Sequence, residues 1–411
     1  MQLQDDAYLQ SVQRPIRFEI RETDQTKVVV FVSLTDDELA ANPQLEDRVD
    51  PDKVLRITCL TSLDIDGMAD LLKRNLEDID VRYQHLFASN SQIPVPESSV
   101  ETLLRELSVY GEEVWEKLVG DKVKKPEKAS EDHWKIAMNF LRKRLEEQSQ
   151  TIVIERTVKK HLVLFPWGIV RKPQKKEENA FIFDEFWGCK HQIHEEIGDS
   201  EVFVLKEKPK IVAAIDYSVD FDNVHEATDH PLIVQDSCEA IFCESSDQFL
   251  DELPSAEIVY HFGHAETHAI LSSKNNLILQ GNNGQPEELN ASQIRRRVDE
   301  VGYCNKAVLI FLNGCETNAL CKCEDDSFIG SFGGIQSNKI YYLTTTVKVP
   351  AVFAAQFAYS FMKNFLSEKK TVGESLRSSI WDTKIGRLSS PLGLLYTYYG
   401  ATGLRVDNPR L

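Results

Sequence analysis

Four short runs in the second half of the chain are apolar at nearly every position: KIVAAID (210–216), EIVYHFG (257–263), AVLIFLNG (307–314) and KIYYLTTT (339–346). A strand with water on one face alternates polar and apolar residues, so continuous runs predict parallel strands covered on both faces. Helix-like segments separate them at 244–253 and 290–301, and two more follow the last strand at 351–367 and 372–384. This alternation predicts an α/β half built on a twisted, mostly parallel sheet with helices on both faces.

The first 200 residues are patterned differently. KVVVFVSL (27–34) and VLRITCL (54–60) predict strands. VETLLRELSVYGEEVWEKLV (100–119) sets Leu103, Leu104, Leu107, Val114, Trp115 and Leu118 at helical spacing. A basic linker, GDKVKKPEK (120–128), leads to a second helix over 131–148. QTIVIERTV (150–158) and HLVLFPWGIV (161–170) then predict strands, the second interrupted by Pro166, and RKPQKKEE (171–178) predicts a solvated connection. The expected organisation is an α+β N-terminal half (1–200) preceding an α/β half (201–411). No repeat of tetratricopeptide length is visible.

Composition narrows the function class. With 411 residues, 42% hydrophobic and 27% charged, the chain can bury a sizeable core as one large domain or two to three smaller ones. A formal charge of −18 disfavours general nucleic-acid or anionic-membrane binding. The N-terminus lacks the basic and apolar regions of a signal peptide, and no run approaches a membrane span. Eight cysteines, several inside apolar runs, suit a reducing, cytoplasmic compartment.

The chemistry sits where two apolar runs stop. In parallel sheets, ligands and catalytic groups lie beyond the carboxyl ends of the strands. His264 follows IVYHFG and Cys315 follows VLIFLNG. If those strands are neighbours, an imidazole and a thiol share one rim, where the imidazole can hold the cysteine as a nucleophilic thiolate. Gly263 and Gly314 precede the pair, and nearby amide N–H groups can stabilise an oxyanion. Two alternatives stand beside this one. Either residue can be plain packing. A metal can be held by His261, His264 and His268 or by Cys315, Cys321 and Cys323, although C-x5-C-x-C lacks the paired C-x2-C of structural zinc sites.

HFGHA and LNGCETN together resemble the two active-site motifs of the CHAT-domain family of caspase-like (clan CD) cysteine proteases. Its strand ending in H-x-A-x-H-G precedes one ending in L-N-A-C-E. VYGEEVWEKLV, FPWGIV (165–170), the segment 325–343, the helix 351–367, TVGESLRSS and TYYGATGLRV have counterparts in family order, so the resemblance runs over roughly residues 10–406. It implies a caspase-like fold and a cysteine protease without metal or cofactor. Residue by residue, Cys315 is the nucleophile and His264 the acid–base partner. The backbone N–H groups of Cys315 and Ala265 form the oxyanion hole, and His261 falls on the first motif histidine. Ala265 stands where the family has glycine, and TTTVKVP replaces its L-W-x-V-x-D.

The resemblance also implies a protein substrate, a regulatory or activating protein partner, and in some members a place in prokaryotic antiviral defence. Loop acids Asp216, Asp220 and Asp325 are candidate contacts to a Lys or Arg before the cut. Between Ala214 and Glu257 there are twelve Asp and Glu and no Lys or Arg. Two other classes remain open: an inactive caspase-like scaffold, and a zinc or thiol-redox protein using the cysteines at 315–323.

Overall fold

A computed structural model describes residues 15–21, 26–76, 97–157, 165–174, 183–196, 203–215, 237–263, 265–266, 275–280, 285–303, 307–314, 328–333, 340–345, 349–385, 388–400 and 403–407. The first half supplies strands β1 (Ile16–Arg21), β2 (Thr26–Ser33), β3 (Val54–Thr61), β4 (Thr151–Thr157) and β5 (Gln192–Glu196). The second supplies β6 (Val204–Leu205), β7 (Lys210–Ile215), β8 (Glu239–Phe242), β9 (Ile258–Gly263), β10 (Ala265–Glu266), β11 (Asn276–Gln280) and β12 (Pro286–Asn290). After these come β13 (Val308–Gly314), β14 (Ile340–Thr345), β15 (Lys384–Ile385), β16 (Leu388–Ser389), β17 (Tyr396–Tyr399) and β18 (Arg405–Val406). The helices are α1 (Asp36–Ala41), α2 (Ile65–Leu76), α3 (Glu97–Leu118), α4 (Glu131–Glu147), α5 (Trp187–Lys190), α6 (Ser246–Glu252), α7 (Ala291–Val301), α8 (Phe328–Ser331), α9 (Ala351–Met362) and α10 (Val372–Asp382).

One eleven-stranded sheet runs through both halves in the order β3-β2-β1-β4-β5-β17-β14-β13-β9-β7-β8. Seven of its ten neighbour pairs are parallel, so the fold is α/β with a mostly parallel sheet. β17 is antiparallel to β14 yet parallel to β5, and β5 is parallel to β4. The carboxyl ends of β7, β9, β13 and β14 therefore share one edge of the sheet, and those of β4 and β5 lie on the opposite edge.

Burial explains the two sequence patterns. β1 buries Ile16, Phe18 and Ile20 and turns the residues between them partly to solvent. All seven residues of β13 are buried. Leu309 and Phe311 face a core shared with α3, α4, α9 and α10, whereas Ile310 and Leu312 face a second core with α6, α7 and α8. α7 is started by an Asn290 capping box and stopped by Gly302, whose φ of 69° suits glycine.

Two segments differ from their sequence patterns. Within FPWGIV, expected as a strand, residues Trp167–Ile169 form a buried 3-10 turn. Pro166 lacks the N–H a ladder needs, and a Cβ on Gly168 would come within 2.9 Å of the Leu394 carbonyl oxygen. The basic stretch 120–128 is also not a free connection. The Lys124 backbone pairs both ways with Leu60 on edge strand β3, and Arg142 donates to the carbonyls of Val119 and Gly120.

Where the halves meet, the sheet buries an ion pair between Arg156 on β4 and Glu195 on β5. Trp167 Nε1 donates to the same carboxylate at 2.8 Å, and the Tyr399 hydroxyl of β17 donates at 3.4 Å. Glu195 thus ties β4, β5, the 3-10 turn and β17 together. Burying that charge is tolerable only because it is paired and hydrogen-bonded.

Candidate active site

The rim expected to carry the chemistry is set by register. β9 and β13 are adjacent and parallel, pairing Phe262 with Asn313 and Gly263 with Gly314. On the far side of β9, Ile215 of β7 pairs with Phe262; beyond β13, Thr344 of β14 pairs with Leu312. Four strands thus end side by side. Asp216, His264 and Cys315 are the next residues in the chain after three of those ends. All three lie outside the described residues, as do Asp220 and Asp325.

What brackets position 264 is described. Gly263 has a φ of 153°, a backbone conformation that side-chain-bearing residues rarely adopt. Ala265 is a strand residue in β10, in register with Leu277 of β11 and packed against the second core. Its place in the chain therefore makes no demand for glycine. His261 is fully buried in β9, with Nε2 3.1 Å from the carbonyl oxygen of Ile278, also on β11. A carbonyl can only accept, so Nε2 carries the proton. β11 accordingly holds the chain on both sides of residue 264. It is itself fixed by Asn276, which donates to Glu288 at 2.6 Å and accepts from Asn290 at 3.0 Å.

The approach to position 315 is held as firmly. Asn313 is a buried amide at the end of an apolar strand. Its Nδ2 donates to the Ala354 carbonyl of α9 at 2.8 Å, and its Oδ1 accepts from the Tyr396 hydroxyl at 2.6 Å. The Tyr396 ring stacks on Phe357 at 3.7 Å and 16°. The Thr345 hydroxyl donates to the Gly314 carbonyl at 2.9 Å. Sequence reasoning passed over Asn313, Thr345 and Tyr396. The available signal was a lone polar residue closing a seven-residue buried run.

Burial silences four of the eight cysteines. Desolvation pushes the thiols of Cys59, Cys238 and Cys243 up to about 12, and raises that of Cys189 well above its ordinary value. Those four are poor nucleophiles at neutral pH, because the thiolate is the reactive form. The remaining four, Cys304, Cys315, Cys321 and Cys323, lie outside the described residues. Among the described residues no group of three His, Cys, Asp or Glu is arranged to hold a metal, and no helix is long and apolar enough to cross a membrane. His264, His268 and the cysteines at 315–323 are not among those residues.

No family profile and no curated protein matches the chain. Solved structures do. The chain is similar to the Arg-specific cysteine proteinase gingipain R, with 11% identity and a TM-score of 0.42 over 75% of this chain and 76% of that one. It is also similar to the Saccharomyces cerevisiae separase–securin complex, with 10% identity and a TM-score of 0.44. That match covers 98% of this chain but 31% of the other. A third likeness is to the complex of Porphyromonas gingivalis RgpB pro- and mature domains, with 10% identity and a TM-score of 0.39 over 81% of this chain and 77% of that one.

Proposed function

We propose that the chain is a cysteine endopeptidase in which Cys315 is the nucleophile and His264 its acid–base partner. One observation carries the reading: Gly263 and Gly314 are register partners at the carboxyl ends of adjacent parallel strands. The next residue is His264 in one case and Cys315 in the other. Consecutive Cα atoms are about 3.8 Å apart and neighbouring strands about 4.8 Å apart. The two Cα atoms therefore lie within roughly 13 Å of each other whatever course the chain takes beyond the glycines.

In the proposed reaction the imidazole takes the thiol proton, and the Cys315 thiolate attacks the peptide carbonyl. The oxyanion is held by the backbone N–H groups of Cys315 and Ala265. For Ala265 this requires an N–H facing away from β11, as at every second residue of an antiparallel ladder. The imidazolium then protonates the leaving amine, and water activated by the neutral imidazole hydrolyses the acyl-enzyme. Asp216, Asp220 and Asp325 are proposed to pair with a Lys or Arg before the cut. Activation by a separate protein partner and a role in prokaryotic defence rest on the family resemblance alone.

The test is selective labelling of the folded protein with an activity-based thiol probe, beside mapping of new protein N-termini generated by parent and Cys315→Ala. Labelling at Cys315 that is lost in His264→Ala, with cuts lost in Cys315→Ala, supports the reading. Labelling indifferent to His264, or one equivalent of bound zinc that blocks it, overturns it. A chain that folds but neither labels nor cuts is an inactive scaffold.

A further inference from the structure

We infer that Thr345, together with the Asn313–Tyr396 pair, positions the oxyanion-binding peptide of the site; the inference rests on the protease reading above. The Gly314 carbonyl and the Cys315 N–H belong to a single peptide unit, which is planar and trans. Their directions are opposed and locked together. The Thr345 hydroxyl donates to that carbonyl at 2.9 Å, so it sets the direction of the N–H proposed to meet the oxyanion. The Thr345 side chain is fully buried, so bulk water does not replace it there.

One residue earlier, Asn313 fixes the strand that carries this peptide. Its neighbours on the same face of β13, Leu309 and Phe311, belong to the first apolar core, and a buried amide there costs stability unless its groups are satisfied. Nδ2 is bound to Ala354 and Oδ1 to Tyr396. Thr345 and Tyr396 are themselves register partners on β14 and β17. The peptide leading to Cys315 is therefore gripped from α9, β14 and β17 together. Oxyanion stabilisation depends on donors aimed in advance at where charge develops, so a tilt of this plane acts on acyl transfer in particular.

That selectivity supplies the test. Acylation of Cys315 by p-nitrophenyl acetate passes through an oxyanion. Its alkylation by iodoacetamide displaces iodide at a saturated carbon and forms none. In Thr345→Val and Tyr396→Phe, the p-nitrophenol burst should slow on the order of tenfold, a fraction of the loss from deleting an oxyanion donor outright. Alkylation of Cys315 should stay within about twofold of the parent, and Thr345→Ser should restore the burst. A general structural role would lower both rates together or leave both unchanged, and either result overturns the inference while the parent burst stands. Should the parent show no burst dependent on Cys315 and His264, the protease reading fails first and takes the inference with it. Thr345→Val failing to fold leaves Tyr396→Phe to decide, since it deletes only a hydroxyl from a ring still stacked on Phe357.

Discussion

Replacing His261 with alanine tests which of the two histidines in HFGH is structural. The ring is fully buried in β9 and holds β11 through the Ile278 carbonyl, so its loss has two costs. Truncating a large buried side chain costs about 2–4 kcal/mol through lost packing and the cavity left behind. Stripping a partly buried carbonyl of its donor adds about 1 kcal/mol, the low end of the range. The sum is about 3–5 kcal/mol. For 411 residues unfolding as one unit, the entropy of unfolding is about 0.9 kcal/mol per degree, so Tm should fall by about 3–6 °C. His261→Gln, which keeps an N–H donor, should fall less. Thermal unfolding by circular dichroism reads the stability, and burst acylation of Cys315 at a temperature well below Tm reads the site. His264→Ala should melt like the parent and lose acylation. A His261→Ala protein that melts within a degree of the parent yet cannot be acylated would refute this reasoning, because the acid–base role would then belong to His261.

Glu195→Gln should destabilise the fold by about 3–5 kcal/mol, since it removes the carboxylate charge paired with the buried Arg156 guanidinium; urea unfolding checks this, and an unchanged midpoint contradicts it. The thiols of Cys59, Cys238 and Cys243 are raised from 9.0 to about 12, so at pH 8 iodoacetamide should alkylate them on the order of a thousandfold more slowly than in the unfolded chain. Because the folded value lies above the unfolded one, the stability they contribute is complete below pH 9 and is lost as pH climbs toward 12. The urea midpoint should therefore drop between pH 8 and about pH 10.5, and drop less in Cys59→Ala. If the acidic stretch 214–257 recruits substrate, cuts should follow Lys or Arg, with kcat/KM falling as salt rises from low to physiological concentration. Cuts dominated by apolar residues, or rates indifferent to salt, would return those acids to plain surface.

The strands of the second half were legible because both of their faces are covered. The run AVLIFLNG (307–314) is apolar up to Asn313, and it is β13 to within one residue. The strands joining the halves were not. β5 reads QIHEE, which resembles a loop until Glu195 is seen to pair with Arg156, a partner 39 residues earlier. β17 reads YTYY, four residues whose apolar character depends on stacking such as that of Tyr396 on Phe357. Without those two strands the chain divides into two separate patterns, and the shared sheet cannot be inferred. FPWGIV failed in the opposite direction: apolar enough for a strand, it is turned by Pro166 and packed by Gly168. At the candidate site, the common rim followed from strand ends alone. The clamp did not, because Asn313, Thr345 and Tyr396 meet only once β13, β14 and β17 are aligned.

The alanine after His264 bears on whether the chain is a worn-out scaffold. In the resembled motif glycine stands there, and loss of a glycine is damaging where the backbone must take a positive φ. That demand is absent at 265, since Ala265 is a strand residue paired with Leu277 and directed at an apolar core. The unusual backbone falls two residues earlier, at Gly263, and there the sequence does supply glycine, with a φ of 153°. The motif's small residues are thus redistributed around His264 rather than lost. The inactive-scaffold alternative has to account for a buried amide at 313, hydrogen-bonded on both sides, where an apolar side chain needs no partners. It has also to account for the threonine hydroxyl set on the Gly314 carbonyl. On the proposed reading, both hold the peptide that leads to Cys315 in place.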